Sequence, residues 1–262
     1  METILHGISV FTLIFCRMTA FFVVAPVFSS RGVPNSFKIG LSTMIAVLIL
    51  MIQGTNQVLP QDLGYVLMII REVLIGLLMG FVAYLIFSVI LTAGSFIDIQ
   101  IGFGMANVLD PMTGASAPVL GNFKYIIATL VFLSINGHHY LLDAVIRSYN
   151  WIPLSNDVFQ RIYRGGVTEF LVSTFSQSFT LAFQMAAPLV VALFLTDVAL
   201  GFLARTAPQF NVFVIGIPLK IIVGLVVLLL LIPGFIYAFE HLFEVMFNAL
   251  HNLFGTLGSR PT

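Results

Sequence analysis

The chain is poor in charge. Eleven basic and eleven acidic side chains make up 8% of its 262 residues, against roughly 25% in a soluble domain. Such scarcity excludes an ordinary solvated surface. No basic run and no interleaving of basic with aromatic residues is present, and the net charge is zero, which argues against nucleic acid as a partner. A single cysteine, Cys16, excludes an intramolecular disulfide and a cysteine metal cage. Within an apolar run it reads as a small packing residue. Glu2 and His6 stand where a secretory leader would carry basic residues, and no small-residue cleavage site follows. The first apolar run is therefore expected to be retained as a span.

Hydrophobic residues make up 59% of the chain, and the mean hydropathy is +1.07. Uncharged windows cover 39–61, 73–97, 125–142, 170–196 and 221–239, and 3–30 is interrupted only by Arg17. A membrane helix needs about 20 apolar residues, so the pattern predicts an all-α polytopic membrane protein with six apolar segments. Their lengths are unequal. Residues 64–97 and 170–204 read as nearly continuous helix, about 50 Å long against a hydrocarbon core of about 30 Å. Residues 39–52 would cover only about 20 Å. Long kinked hairpins, tilted or projecting beyond the bilayer, are the expected solution, with Pro26, Pro188, Pro218 and Pro233 as kink sites.

Basic residues do not follow simple alternation. Arg31 and Lys38, the turn from Arg205 to Lys220, and Arg147, Arg161 and Arg164 cannot all face the cytoplasm if six spans alternate, as the positive-inside rule requires. The short Arg205–Lys220 turn is expected to be the cytoplasmic one, and the conflict points to unconventional topology. Ala25-Pro26, Gly32-Val33-Pro34 and Lys38-Ile39 are echoed by Ala187-Pro188, Gly216-Ile217-Pro218 and Lys220-Ile221. This echo is either an internal repeat or chance.

Residues 98–124 are the most informative stretch. Gly102, Gly104, Gly114, Gly121, Pro111 and Pro118 break helical continuity, yet Asp110 is the one charge between Ile99 and Phe123. Irregular backbone at membrane depth survives only where protein buries it or it lines a cavity. The segment therefore reads as a pore plug or constriction. Phe103, Met105, Val108, Leu109 and Met112 supply deformable apolar bulk. Gly102, Gly104, Gly114 and Gly121 supply hinges, and Asp110-Pro111 a turn. The rival reading is simple packing against other subunits.

Other residues carry weaker signals. His139 and Asp143 share a helix face beside His138, but no third ligand has metal-site spacing, so polar packing explains them better. Arg17 and Asp197 are ionisable groups in apolar segments, either interfacial or paired structurally. Gly76 and Gly80 form a GxxxG face that predicts a tight helix contact.

Several blocks resemble the FliR/SctT family of type III export-apparatus proteins. They are Arg17 with Ala25-Pro26-Val27-Phe28, Arg31-Gly32-Val33-Pro34 with Lys38-Ile39-Gly40-Leu41, and Thr92-Ala93-Gly94-Ser95-Phe96-Ile97 followed by Gly102 and Asp110-Pro111. Asn136-Gly137-His138, Ala207-Pro208-Gln209 with Phe213-Val214-Ile215-Gly216, and Glu240-His241-Leu242-Phe243 complete the match. The ending and the length resemble the flagellar branch more than its injectisome relatives. The resemblance implies a FliP-like part at 1–165, with the plug at 98–124, and a FliQ-like hairpin at 166–262. It implies a helical pore complex in the bacterial inner membrane, at the flagellar basal body, through which unfolded flagellar proteins pass. FliP-like and FliQ-like subunits, with FlhB-like and FlhA-like components, are the implied partners. Arg17, Arg205, Gln209 and Lys220 are the expected inter-subunit contacts, Lys220 and Arg205 facing carboxylates of neighbours. No cofactor or metal is implied. A secondary transporter would need midplane carboxylates beyond Asp197. An intramembrane enzyme would need a nucleophile and base or a metal set, and neither is evident.

Overall fold

The computed structural model describes residues 2–30, 32–53, 60, 63–103, 118–154, 158–209 and 211–258. Eight helices occur among the described residues: α1 Glu2–Val24, α2 Asn35–Gln53, α3 Leu63–Ile101, α4 Val119–Ser134, α5 Gly137–Trp151, α6 Val158–Tyr163, α7 Gly166–Thr206 and α8 Val212–Leu257. The protein is an all-α, multi-pass membrane chain. Five helices are long and apolar enough to cross a bilayer, and the α4–α5 pair is a sixth candidate bent by 68°.

Local chemistry explains the boundaries. Helix α1 stops before Ala25-Pro26, and Val27 takes a left-handed φ of 68° that a β-branched residue rarely adopts. Pro26 therefore ends a helix rather than kinking one. Pro188 lies inside α7 and Pro218 and Pro233 inside α8. Segment 125–142 is not one continuous helix. Asn136, at φ 59° and ψ 28°, breaks it between α4 and α5, a conformation that asparagine tolerates and most residues resist. Residues 147–169 are largely helical rather than loop, Arg147 lying on α5 and Arg161 on α6. Helix α7 carries Glu169 in its first turn and Arg205 in its last, both complementing the helix dipole.

The chain divides into two compact units. The first comprises Met1–Phe87, Asn136–Phe175 and Phe243–Thr262, and the second Ser88–Ile135 and Ser176–Leu242. In the first unit, α1 buries Val10, Leu13, Ile14, Met18, Phe21 and Phe22. Helix α3 approaches α1 at the GxxxG face: a Cβ on Gly76 would collide with the Arg17 carbonyl, and one on Gly80 would lie 3.0 Å from the Phe21 carbonyl. In the second unit, α3 meets α4 at Gly94 and Gly121, backbone against backbone.

Candidate gate region and its anchoring ion pairs

The plug-like segment is approached through the end of α3. Gly102 adopts φ 102°. Its amide donates to the Ile99 carbonyl at 3.2 Å, and the Phe103 amide to the Asp98 carbonyl at 3.0 Å. This pair is a Schellman motif, which needs a glycine-like φ at that position. Gly102 therefore terminates α3, and Phe103, half-buried, follows it. Met105, Val108, Leu109, Asp110, Met112, Gly104 and Gly114 lie outside the described residues.

Gly121 is not a loop hinge. It sits in the first turn of α4, buried against Gly94. A Cβ there would lie 2.9 Å from Pro118 and 3.3 Å from the Leu91 carbonyl. Small size at a helix crossing, not backbone freedom, is what the position requires.

A second anchor holds the same end of α3. Gln100 Nε2 donates to Asp197 Oδ2 at 3.0 Å, and Lys220 Nζ lies 2.6 Å from Asp197 Oδ1. Three helices, α3, α7 and α8, thus converge on one carboxylate. The acid expected to face Lys220 is supplied by the chain itself. Both partners remain partly exposed, at 18% and 39%, so solvent screens the pair. We expect Lys220→Glu to place two acids together, separate α7 from α8 locally and lower the yield of assembled protein, while Lys220→Glu with Asp197→Lys restores it. Equal yields for the single variant and wild type would remove the pair from the assembly argument. Arg205 and Gln209 are exposed, as a contact with a neighbour requires.

Arg17 is corrected by the structure. It is fully buried in the chain's own first unit and has no surface to offer a neighbour. Its Nε donates to Glu72 Oε2 at 2.6 Å, Nη1 to Ser148 Oγ at 3.0 Å and Nη2 to the Ile152 carbonyl at 3.0 Å. The guanidinium lies 3.8 Å from the centroid of the Tyr149 ring. Arg71 Nη2 bonds Glu72 Oε1 at 2.8 Å and also the Leu154 carbonyl. One carboxylate and the carbonyl-rich end of α5 together satisfy two cations, which joins α1, α3 and α5.

His138 and His139 rings lie 4.1 Å apart, and Asp143 pairs with Arg147 at 2.6 Å on the exposed face of α5. Among the described residues no three His, Cys, Asp or Glu side chains are placed to hold a metal ion.

Sequence reading missed Glu72, Arg71, Asp98, Gln100 and Lys124. Asp98 accepts from the α4 amides of Leu120 and Gly121 at 3.1 and 3.4 Å, and Lys124 is buried beneath Phe235.

Comparison with known proteins settles the family. The profile of bacterial export proteins, family 1, matches residues 8–246. The chain belongs to the FliR family of bacterial export proteins. It is 39% identical over 258 residues to the flagellar biosynthetic protein FliR of Bacillus subtilis (strain 168), covering 98% of this chain and 99% of that one. It is 32% identical over 222 residues to FliR of Escherichia coli (strain K12), covering 83% and 82%. With FliR of Aquifex aeolicus (strain VF5) the identity is 27% over 219 residues, 83% of each chain. As a FliR-family member with several apolar helices, the chain is a multi-pass inner-membrane component of the flagellar export apparatus.

Proposed function

We propose that the chain is a non-enzymatic core subunit of the flagellar type III export gate. With FliP-like and FliQ-like subunits it encloses the channel for unfolded flagellar proteins, and residues 98–124 close that channel at rest. FlhA-like and FlhB-like components are its further partners. Uncovered apolar surface carries this reading. Helices α7 and α8 contain 41 and 46 residues, or about 60 and 70 Å at 1.5 Å per residue, twice a hydrocarbon core of about 30 Å. Only 22% and 17% of their apolar windows are buried within the chain, against 56% for α3. Phe179, Phe183, Phe194 and Phe202 on α7 and Leu230 and Tyr237 on α8 stand exposed. Lipid cannot cover apolar helix twice its own depth, so other protein must.

Two measurements test the proposal. Expressed alone, the chain should aggregate or purify heterogeneously, and co-expression with FliP-like and FliQ-like proteins should give one assembled species. A monodisperse monomer, stable in lipid, would overturn the assembly reading. Replacing 104–117 by a short Gly-Ser linker should leave assembly intact and raise the ion conductance of the membrane, because an apolar constriction excludes water and ions. An assembled variant as ion-tight as wild type would dismiss the plug.

A further inference from the structure

Helix α4 starts without a cap of its own. Its N-cap is Pro118, and no side-chain cap hydrogen bond forms there. The first amides of a helix have no partner within it. The Asn122 amide reaches the Pro118 carbonyl at 2.9 Å, which leaves the preceding amides to be satisfied from outside. Asp98 on α3 does so: Oδ1 accepts from Leu120 N at 3.1 Å and Oδ2 from Gly121 N at 3.4 Å. The close Gly94–Gly121 crossing brings this carboxylate within reach.

One turn further along the same face lies Lys124, only 2% exposed. Its ammonium rests 4.1 Å from the centroid of the Phe235 ring and makes no hydrogen bond. An ammonium offers three donors, and burying it with none engaged is costly. A ring face is a weaker partner for it than a carboxylate. Asp98 is the acid set against this face, since the amides it caps lie four and three residues before Lys124 on α4. A single carboxylate thus stands between two claims, the α4 amides and an enclosed, unpaired cation. Asp98 is itself only 5% exposed, so any exchange between the two claims takes place within the protein.

We propose that Asp98 is a two-position latch. In the structure it caps α4. In its other position it pairs with Lys124, and the first turn of α4 is left uncapped and free to unwind. Lys124 is a positioning residue that acts only through Asp98. The functional consequence rests on the closing role proposed for 98–124, because α4 is where that segment rejoins the fold.

Hydrogen–deuterium exchange of the full chain, co-purified with its membrane partners, tests the latch at the Leu120 and Gly121 amides. Asp98→Ala should speed their exchange by about tenfold, the effect of losing a helix cap. Lys124→Met should slow it, because the uncapped position loses its only reward. In an Asp98→Ala background, Lys124→Met should have no effect, since the two residues share one interaction. Equal slowing in both backgrounds would mean only that a buried charge had been removed, and would overturn the latch. Unchanged exchange in Lys124→Met alone would do the same. If the exchange pattern holds, cells carrying Lys124→Met should assemble the complex normally but export filament protein more slowly. Normal export with that pattern would leave the latch standing and remove the closing role of 98–124.

Discussion

Arg17→Leu should lower the unfolding free energy by about 3–5 kcal/mol, the cost of breaking a buried ion pair by removing one partner. The leucine fills most of the space but leaves Glu72 with a single cation, and Ser148 and the Ile152 carbonyl lose their donor. That loss is comparable to the whole stability of many domains, about 5–15 kcal/mol, so the variant should accumulate poorly in the membrane. Thermal or denaturant unfolding of the purified protein reads the effect. Arg17→Lys should fall between, because an ammonium cannot fork to a carboxylate, a hydroxyl and a carbonyl at once. Adding Glu72→Leu to Arg17→Leu should recover part of the loss by removing the acid that Arg17 paired with, although Arg71 then loses its bond to Glu72. An unchanged unfolding midpoint in Arg17→Leu would show that the cluster does not hold α1, α3 and α5 together.

The same cluster shows where the sequence was legible and where it was not. Hydropathy located the long helices well: residues 64–97 and 170–204 fall within α3 and α7. It failed at charges. Windows were bounded at Glu72, Asp98 and Lys124, since an ionisable group is costly in lipid. All three nevertheless lie inside helices, because each faces protein. Glu72 finds Arg17 across 55 residues of sequence, and no local pattern announces such a partner. Asp98 finds backbone amides 22 and 23 residues away, for the same reason. Arg17 was misplaced by this logic too: a lone arginine in an apolar run looked available to a neighbour until its acid was known.

Backbone punctuation is legible where hydropathy is not. Asn136-Gly137 is a turn dipeptide, and the left-handed Asn136 duly separates α4 from α5. Continuous hydropathy on both sides concealed it. The GxxxG pair Gly76 and Gly80 did mark a tight crossing, and the crossing is with α1 of the same chain. The turn between α7 and α8 also fell inside the Arg205–Lys220 interval, although Lys220 itself sits within α8 and answers to Asp197.

Gly121 separates two physical readings by the sign of one measurement. Were it a hinge, Gly121→Ala would favour the helical conformation and stabilise the protein by up to about 1 kcal/mol. Packing predicts the reverse. The added methyl group would stand 2.9 Å from the Pro118 ring and 3.3 Å from the Leu91 carbonyl, neither of which is the far end of a flexible side chain. Overpacking of this kind costs about 1–3 kcal/mol, which outweighs the propensity gain. Gly94→Ala should be more damaging still, since its Cβ would overlap the backbone of Gly121 itself and force α3 and α4 apart. Separation of those helices also draws the Asp98 carboxylate away from the Leu120 and Gly121 amides. Gly94→Ala should therefore lower the unfolding midpoint more than Gly121→Ala and raise amide exchange at the start of α4. A stabilised Gly121→Ala protein would make that glycine a hinge instead.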